Sequence, residues 1–265
     1  MIRLTSKPEL EGYGLLLQGK ELTVTQALDD YLLIEDEIKI TIKPNANVTI
    51  LDVTNGKNIE ITILENANLH YQIVNSTNSQ RLFNNYGNLD IIQINLSQTT
   101  EKLVINNKAY QANSNVELLS FGNGTRQLFE QYVSHDEKET TSNISNYGFA
   151  INGADVSFET TGKIYKGKSK SKCAQLSKGI IMDDNSAITS KPILLIDEYD
   201  VIANHGASIG KMSDDILFYL MSRGLNKNDA FILILEGIIG PFIEKILDED
   251  IKTEISQKLH SMIKE

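Results

Sequence analysis

Two stretches of this chain lie over one another without a gap at an offset of 21 residues, and this self-similarity restricts the fold more than any other feature. Glu37–Val48 matches Asn58–Leu69, with identity at Ile38/Ile59, Ile40/Ile61, Thr41/Thr62, Ile42/Ile63, Asn45/Asn66, Ala46/Ala67 and Asn47/Asn68. Each copy alternates apolar and polar residues, the period of a β-strand, and breaks at an Asn-rich turn. Weaker echoes follow at Asn88–Ile91, Asn115–Leu118 and Ala154–Phe158. One copy cannot bury its own apolar row, so neighbouring copies must cover each other. Two short strands and two turns use about this many residues at about 3.3 Å per strand residue. The expectation is a β-solenoid over about Leu22–Asp200, with Ile38, Ile40, Ile59, Ile61 and Ile63 stacked inside. A hexapeptide solenoid lacks support because its six-residue rhythm is absent. A β-sandwich would explain the alternation but not the identity at constant offset.

Composition excludes several classes. The chain has 265 residues, 41% hydrophobic, with a formal net charge of −10, which argues against nucleic acid and against anionic lipid as partners. Its opening residues, 1–14, have no long apolar run and no cleavage pattern, so no signal peptide is expected. Ile232–Ile239 is interrupted by Glu236 and Gly237 and is too short to span a bilayer. The single cysteine, Cys173, rules out an internal disulfide and suits a reducing cytoplasm.

After Lys211 the period becomes helical. Ser213-Asp214-Asp215 starts a helix with a hydroxyl and negative charge, and Arg223-Gly224 ends it. Asn226 or Asn228 can cap a second helix, which Gly240-Pro241 should break or kink. A third is expected from about Pro241 to Lys264, with Leu247, Ile251, Ile255, Leu259 and Ile263 on its apolar side. The chain thus divides into a β core at 1–211 and a small helical domain at 212–265.

The junction Ala203–Leu225 carries the most specific pattern: a His205-Gly206-Ala207-Ser208 turn, a Phe218-Tyr219-Leu220 helix and a Ser222-Arg223-Gly224 exit, in that order. This segment resembles the signature of the SufB/SufD family, scaffolds of the SUF iron–sulfur assembly machinery, and is closest to the SufD branch. The resemblance implies a right-handed parallel β-helix, in agreement with the repeat. It also implies a non-catalytic subunit that pairs with a SufB-type scaffold and docks the ABC-type ATPase SufC. Members of the family carry a helical region ahead of the β-helix, whereas here the repeats begin by about Leu22.

In the SufD branch the histidine of the His-Gly-Ala turn faces the subunit interface where a nascent cluster is held, so His205 is the candidate iron or cluster ligand. The bland reading is a histidine tolerated between the turn formers Asn204 and Gly206. By the same resemblance, Phe218, Tyr219, Arg223 and Leu225 are candidates for SufC docking. One cysteine cannot hold a cluster, so iron or a cluster would be bound transiently and shared with a second chain, with no cofactor tightly held by this one. The cysteine of the SufB Gln-Cys-Asp-Ser stretch falls on Ser177 of this chain, within Gln175-Leu176-Ser177-Lys178; Cys173 lies four residues too early to match and reads as a small semi-buried residue. His135-Asp136-Glu137 reads as a solvated strand or loop, and His70 and His260 as structural or exposed.

No Walker-type phosphate loop is present, so the chain should not hydrolyse ATP itself. An alternative is a minimal scaffold that pairs with a second copy of itself and binds SufC. A polysaccharide-active β-helix enzyme is a distant third, since such enzymes are secreted and line their grooves with aromatics, and this chain has no tryptophan.

Overall fold

A computed structural model describes residues 1–3 and 14–264. The alternating copies become rungs of a parallel β-solenoid. Among the described residues, one nine-stranded sheet (sheet A) runs in the order β1-β4-β6-β8-β10-β12-β14-β16-β18. A second nine-stranded sheet (sheet B) runs β17-β15-β13-β11-β9-β7-β5-β3-β2. In sheet A the early strands are β1 (Ile2–Arg3), β4 (Leu32–Ile34), β6 (Asn47–Asp52) and β8 (Asn68–Val74). They are followed by β10 (Asn88–Asn95), β12 (Asn113–Asn123), β14 (Thr141–Ile151), β16 (Lys172–Ile181) and β18 (Ile202–Lys211). Sheet B begins with an antiparallel hairpin, β2 (Leu15–Gln18) with β3 (Glu21–Val24). It continues through β5 (Ile38–Ile42), β7 (Asn58–Ile63), β9 (Gln80–Asn85), β11 (Thr99–Asn107), β13 (Arg126–His135), β15 (Asp155–Ile164) and β17 (Ala187–Ile196).

The apolar rows stack as their alternation requires. Ile38 pairs with Ile59, Ile40 with Ile61 and Ile42 with Ile63, and all six are buried. At the corner between the sheets Asn45 and Asn66 adopt positive φ (65° and 58°), a conformation asparagine tolerates better than most side chains. The next position is filled by Ala46, Ala67 and then Gly87, where a Cβ would lie 2.3 Å from the Ala67 carbonyl oxygen. Beyond it an amide ladder closes the turn, with Asn68 Nδ2 donating to Asn47 Oδ1 at 2.5 Å and Asn88 Nδ2 to Asn68 Oδ1 at 2.8 Å.

The 21-residue offset holds only locally. Register partners are 18 residues apart at Glu21/Lys39, 28 at Thr99/Gln127 and 32 at Asp155/Ala187, so the rungs widen along the axis. The later echoes are faint for this reason. Asn88 aligns with Asn113 rather than Asn115, and Ala154–Phe158 leads into sheet B while the other two echoes lie in sheet A. The solenoid also runs past Asp200 to Lys211.

Three helices follow: α1 (Asp214–Ser222), α2 (Lys227–Ile243) and α3 (Glu249–Lys264). Ser213 occupies the N-cap position of α1 but its hydroxyl makes no cap bond, so the two aspartates are left as the favourable feature of that end. Asn226 caps α2 by accepting from the Asp229 N–H at 2.9 Å; the Asn228 side chain, the alternative cap, lies outside the described residues, as does that of Ile263. Pro241 does not break α2, which continues to Ile243. It stands in the last turn, where one missing donor is tolerated, and its neighbours Ile239 and Phe242 are buried in a cluster with sheet A. The third helix therefore begins at Glu249, after Asp248 accepts from the Asp250 and Ile251 N–H groups, and Leu247 is left exposed in the connection.

α2 and α3 lie across the outer face of sheet A. Leu235, Ile239, Phe242, Ile255 and Leu259 share one buried cluster with Leu51, Val74, Ile94, Leu119, Phe121 and Phe149. Gln72 ties this packing to the backbone, donating to the Lys245 carbonyl at 2.6 Å and accepting from the Leu247 N–H at 3.1 Å. Sheet A is thus covered on both faces. Deleting residues 212–265 would expose that apolar face, so we expect the truncated chain to aggregate where the full chain does not; light scattering of the two side by side checks this, and a monodisperse truncation would contradict it.

Candidate functional site

The last rung is where the solenoid stops and the interior opens. His205 lies in the middle of β18, a regular strand in register with β16, not in a turn. Asn204 and Gly206 suggested a turn in the sequence, but parallel hydrogen bonding to a long neighbouring strand holds this small-residue stretch extended. Paired residues of parallel strands point to the same side of the sheet. His205 therefore ends the inward-facing row Leu32, Ile50, Tyr71, Ile91, Val116, Ile144, Gln175, His205. Every earlier member of that row is buried; His205 is exposed because no rung covers it.

The two edges of the last rung differ. In β17 the Ala187 and Asp197 N–H groups bond to β15, so by strand alternation the even positions face outward. Pro192 occupies one of these and supplies no donor, which blunts the sheet B edge at its centre. In β18 the Ile202 N–H bonds to Ser171, which leaves the N–H groups of Ala203, His205, Ala207 and Ile209 pointing off the edge. Sheet A ends in an unblunted pairing edge, and the histidine sits on it.

Cys173 is in β16, one inward position from the Gln175/His205 pair and in register with Ala203. It is fully buried rather than semi-buried, and burial raises its thiol pKa, which disfavours the thiolate needed of a ligand. Among the described residues no three His, Cys, Asp or Glu side chains converge so as to hold a metal ion.

Of the docking candidates, Phe218 and Tyr219 are 74% and 56% exposed, Leu225 is half-buried, and the exposed Arg223 lies over the Tyr219 ring at 5.4 Å. In α1 only Leu217 is buried, Leu220 is half-buried, and Ile216, Phe218, Tyr219 and Met221 are exposed. A groove of about 410 Å³ runs beneath this region between α2 and the outer face of the last rungs, with Lys178, Ser208 and Ile238 in its walls.

A family model described as "SUF system FeS cluster assembly, SufBD core domain" matches residues 23–238, from the first rungs through α1 and most of α2. The chain belongs to the SufBD core family. Similar SufBD proteins include the iron–sulfur cluster assembly protein SufD of Bacillus subtilis, 32% identical over 136 residues, which is 51% of this chain and 31% of the relative. SufD of Escherichia coli is 27% identical over 135 residues, 51% of this chain and 28% of the relative. A SufBD family protein of Mycobacterium tuberculosis is 30% identical over 112 residues, 42% of this chain and 13% of the relative. The matched part of this SufBD chain thus spans about a third or less of each of these relatives. No helix among its described residues is long and apolar enough to cross a membrane.

The other histidines are accounted for by packing. His70 is half-buried on the outer face of sheet A, where burial lowers its pKa. His260 is exposed, 3.5 Å from Glu236. His135 corrects the sequence reading. It ends β13 with its ring inside the solenoid, Nδ1 2.7 Å from Thr140 Oγ1 and Nε2 2.9 Å from Ser142 Oγ, because the inner sites of these wider rungs are polar. Burial pushes its pKa down to about 4. The unfolded chain takes up this proton near pH 6.5 and the folded chain does not, so stability is lost as pH falls from about 6.5 to about 4, by about 3 kcal/mol. His135→Gln can keep both contacts without titrating. We expect urea midpoints of the two proteins to diverge below about pH 6.5, with the wild type falling faster; parallel profiles would contradict this.

Proposed function

We propose that this chain is a non-catalytic scaffold subunit of SUF iron–sulfur cluster assembly, pairing through the β18 edge with a SufB-type subunit. A second copy of the chain is the alternative partner. The observation that carries the proposal is the position of His205, the exposed end of an otherwise buried inward row, on a strand whose outer N–H groups have no partner among the described residues. A partner strand laid on that edge would cover the open interior and bring its own side chains to the imidazole. Iron or a nascent cluster, as cargo, would then be held between two chains, with His205 giving one nitrogen and the partner the remaining ligands. Family membership and the naming of relatives as SufD support this reading.

α1 serves as the docking element for the SufC-type ATPase, with Phe218 and Tyr219 as anchors and Arg223 and Leu225 beside them. An amphipathic helix with exposed aromatics is suited to a groove on another protein.

Two variants separate the surfaces. Ala207→Pro removes one donor that faces off the edge and disturbs no ladder bond within the chain. Co-expressed with both partners, it should lose the SufB-type subunit and keep the ATPase. Phe218→Ser with Tyr219→Ser should do the reverse, while changing stability by no more than about 0.5 kcal/mol per site because both side chains are exposed. Retention of both partners by both variants would sink the proposal.

A further inference from the structure

The corners of the solenoid carry an alternation of charge that stops on an acidic turn. On the side where sheet B passes to sheet A, the turn Asp136–Thr140 is net acidic, with Asp136, Glu137 and Glu139 against Lys138, and the next turn, Tyr165–Ser171, holds Lys166, Lys168 and Lys170. They are bridged by Lys168–Glu137 at 3.3 Å and Lys170–Glu139 at 3.8 Å. The last turn, Asp197–Val201, is acidic again. Lys163 reaches Asp197 at 2.5 Å, and Glu198 accepts from the Gly167 N–H at 2.8 Å, both from the rung behind. Among the described residues nothing lies on the far side. There the chain forms an open depression of about 640 Å³ lined by Ile196, Asp197, Glu198, Tyr199, Val201 and Ala203, with Tyr199 fully exposed. The opposite corner of the same rung is acidic as well, with Asp183 and the exposed Asp184 beside Lys211.

We infer that the open end of the solenoid selects a partner whose corner turns carry lysine or arginine, and that it rejects a second copy of this chain. The inference rests on the reading of β18 as a pairing edge. A two-fold axis can bring the Asp197–Asp200 turn against its own copy or against the Asp183–Asp184 corner. Either way carboxylates face carboxylates, because Lys211, the cation at that corner, is already paired with Asp184 of its own chain. Like charges so placed cost several kcal/mol, whereas a basic turn would continue the alternation already built into the preceding rungs.

The test uses the full chain and a charge-reversed copy of it, Asp184→Lys with Asp200→Lys, two exposed sites that bind no backbone amide. Sedimentation velocity is run on the wild type alone and on an equimolar mixture, at about 0.01 M and about 1 M salt, where the Debye length falls from about 30 Å to about 3 Å. At low salt the mixture should associate about 100-fold more tightly than the wild type with itself, and the ratio should shrink at high salt. Wild-type self-association as tight as that of the mixture at both salts, abolished by Ala207→Pro, would overturn the selection and leave the pairing edge standing. Absence of association in both samples at both salts would overturn the pairing edge and the selection with it.

Discussion

Arg81→Ala should destabilise this protein by about 3–5 kcal/mol, a large share of the roughly 5–15 kcal/mol that holds a domain folded. The guanidinium is inside the solenoid, with Nε 2.7 Å from Asp52 Oδ2, Nη1 3.4 Å from Glu101 Oε2 and Nη2 2.8 Å from Ser76 Oγ. Tyr71 donates its hydroxyl to the same Asp52 oxygen at 2.6 Å, and Gln93 donates to Glu101 at 2.6 Å. Two carboxyl groups share one cation, and the nearer contact goes to Asp52. Burial raises the Glu101 pKa in spite of Arg81, and its Oε1 has no hydrogen-bond partner among the described residues. Removing the cation leaves both carboxyls buried with neutral donors but no counter-charge. The penalty should shrink as pH falls from about 7 to about 5, because Glu101, whose pKa burial raises, takes up a proton more readily in the folded chain than in the unfolded one. Urea unfolding at the two pH values checks the sign. Arg81→Met combined with Asp52→Asn and Glu101→Gln should recover much of the loss by removing the charges together. A single variant as stable as the wild type would show that the network contributes nothing to the fold.

What could be read in the sequence, and what could not, divides along physical lines. The inward rows of the middle rungs were legible because Ile38–Ile42 and Ile59–Ile63 must alternate to be buried on one side only. The asparagine corners were legible because few residues accept positive φ. The cover on sheet A went unread, although Ile91-Ile92 and Leu118-Leu119 break the alternation with adjacent apolar pairs, the mark of a strand buried on both faces. His205 was singled out in the sequence but misplaced in a turn, whereas it lies in a regular strand. In Ala203–Lys211 the strand period is obscured, since an inward row at an open end need not be apolar and small residues sit where a flat edge needs them. His135 was misread because a polar interior leaves no apolar period to betray it.

His205→Ala should leave the fold unchanged and remove the product. The imidazole is exposed at the end of its row and has no hydrogen-bond partner among the described residues, so stability should move by no more than about 0.5 kcal/mol. Its backbone N–H remains on the β18 edge, so pairing with the SufB-type subunit should persist, as should α1 docking of the ATPase. Only the imidazole nitrogen is lost. If the cargo is held between two chains with His205 as this chain's contribution, cluster content should drop by about tenfold or more. Cys173→Ser serves as the control, since that thiol is buried within β16 and should not be required. The decisive measurement is iron and acid-labile sulfide in the anaerobically purified complex, with subunit stoichiometry determined on the same sample. The account predicts an intact complex with little iron or sulfide for His205→Ala and normal content for Cys173→Ser. Normal content in His205→Ala, with loss in Cys173→Ser, would contradict it.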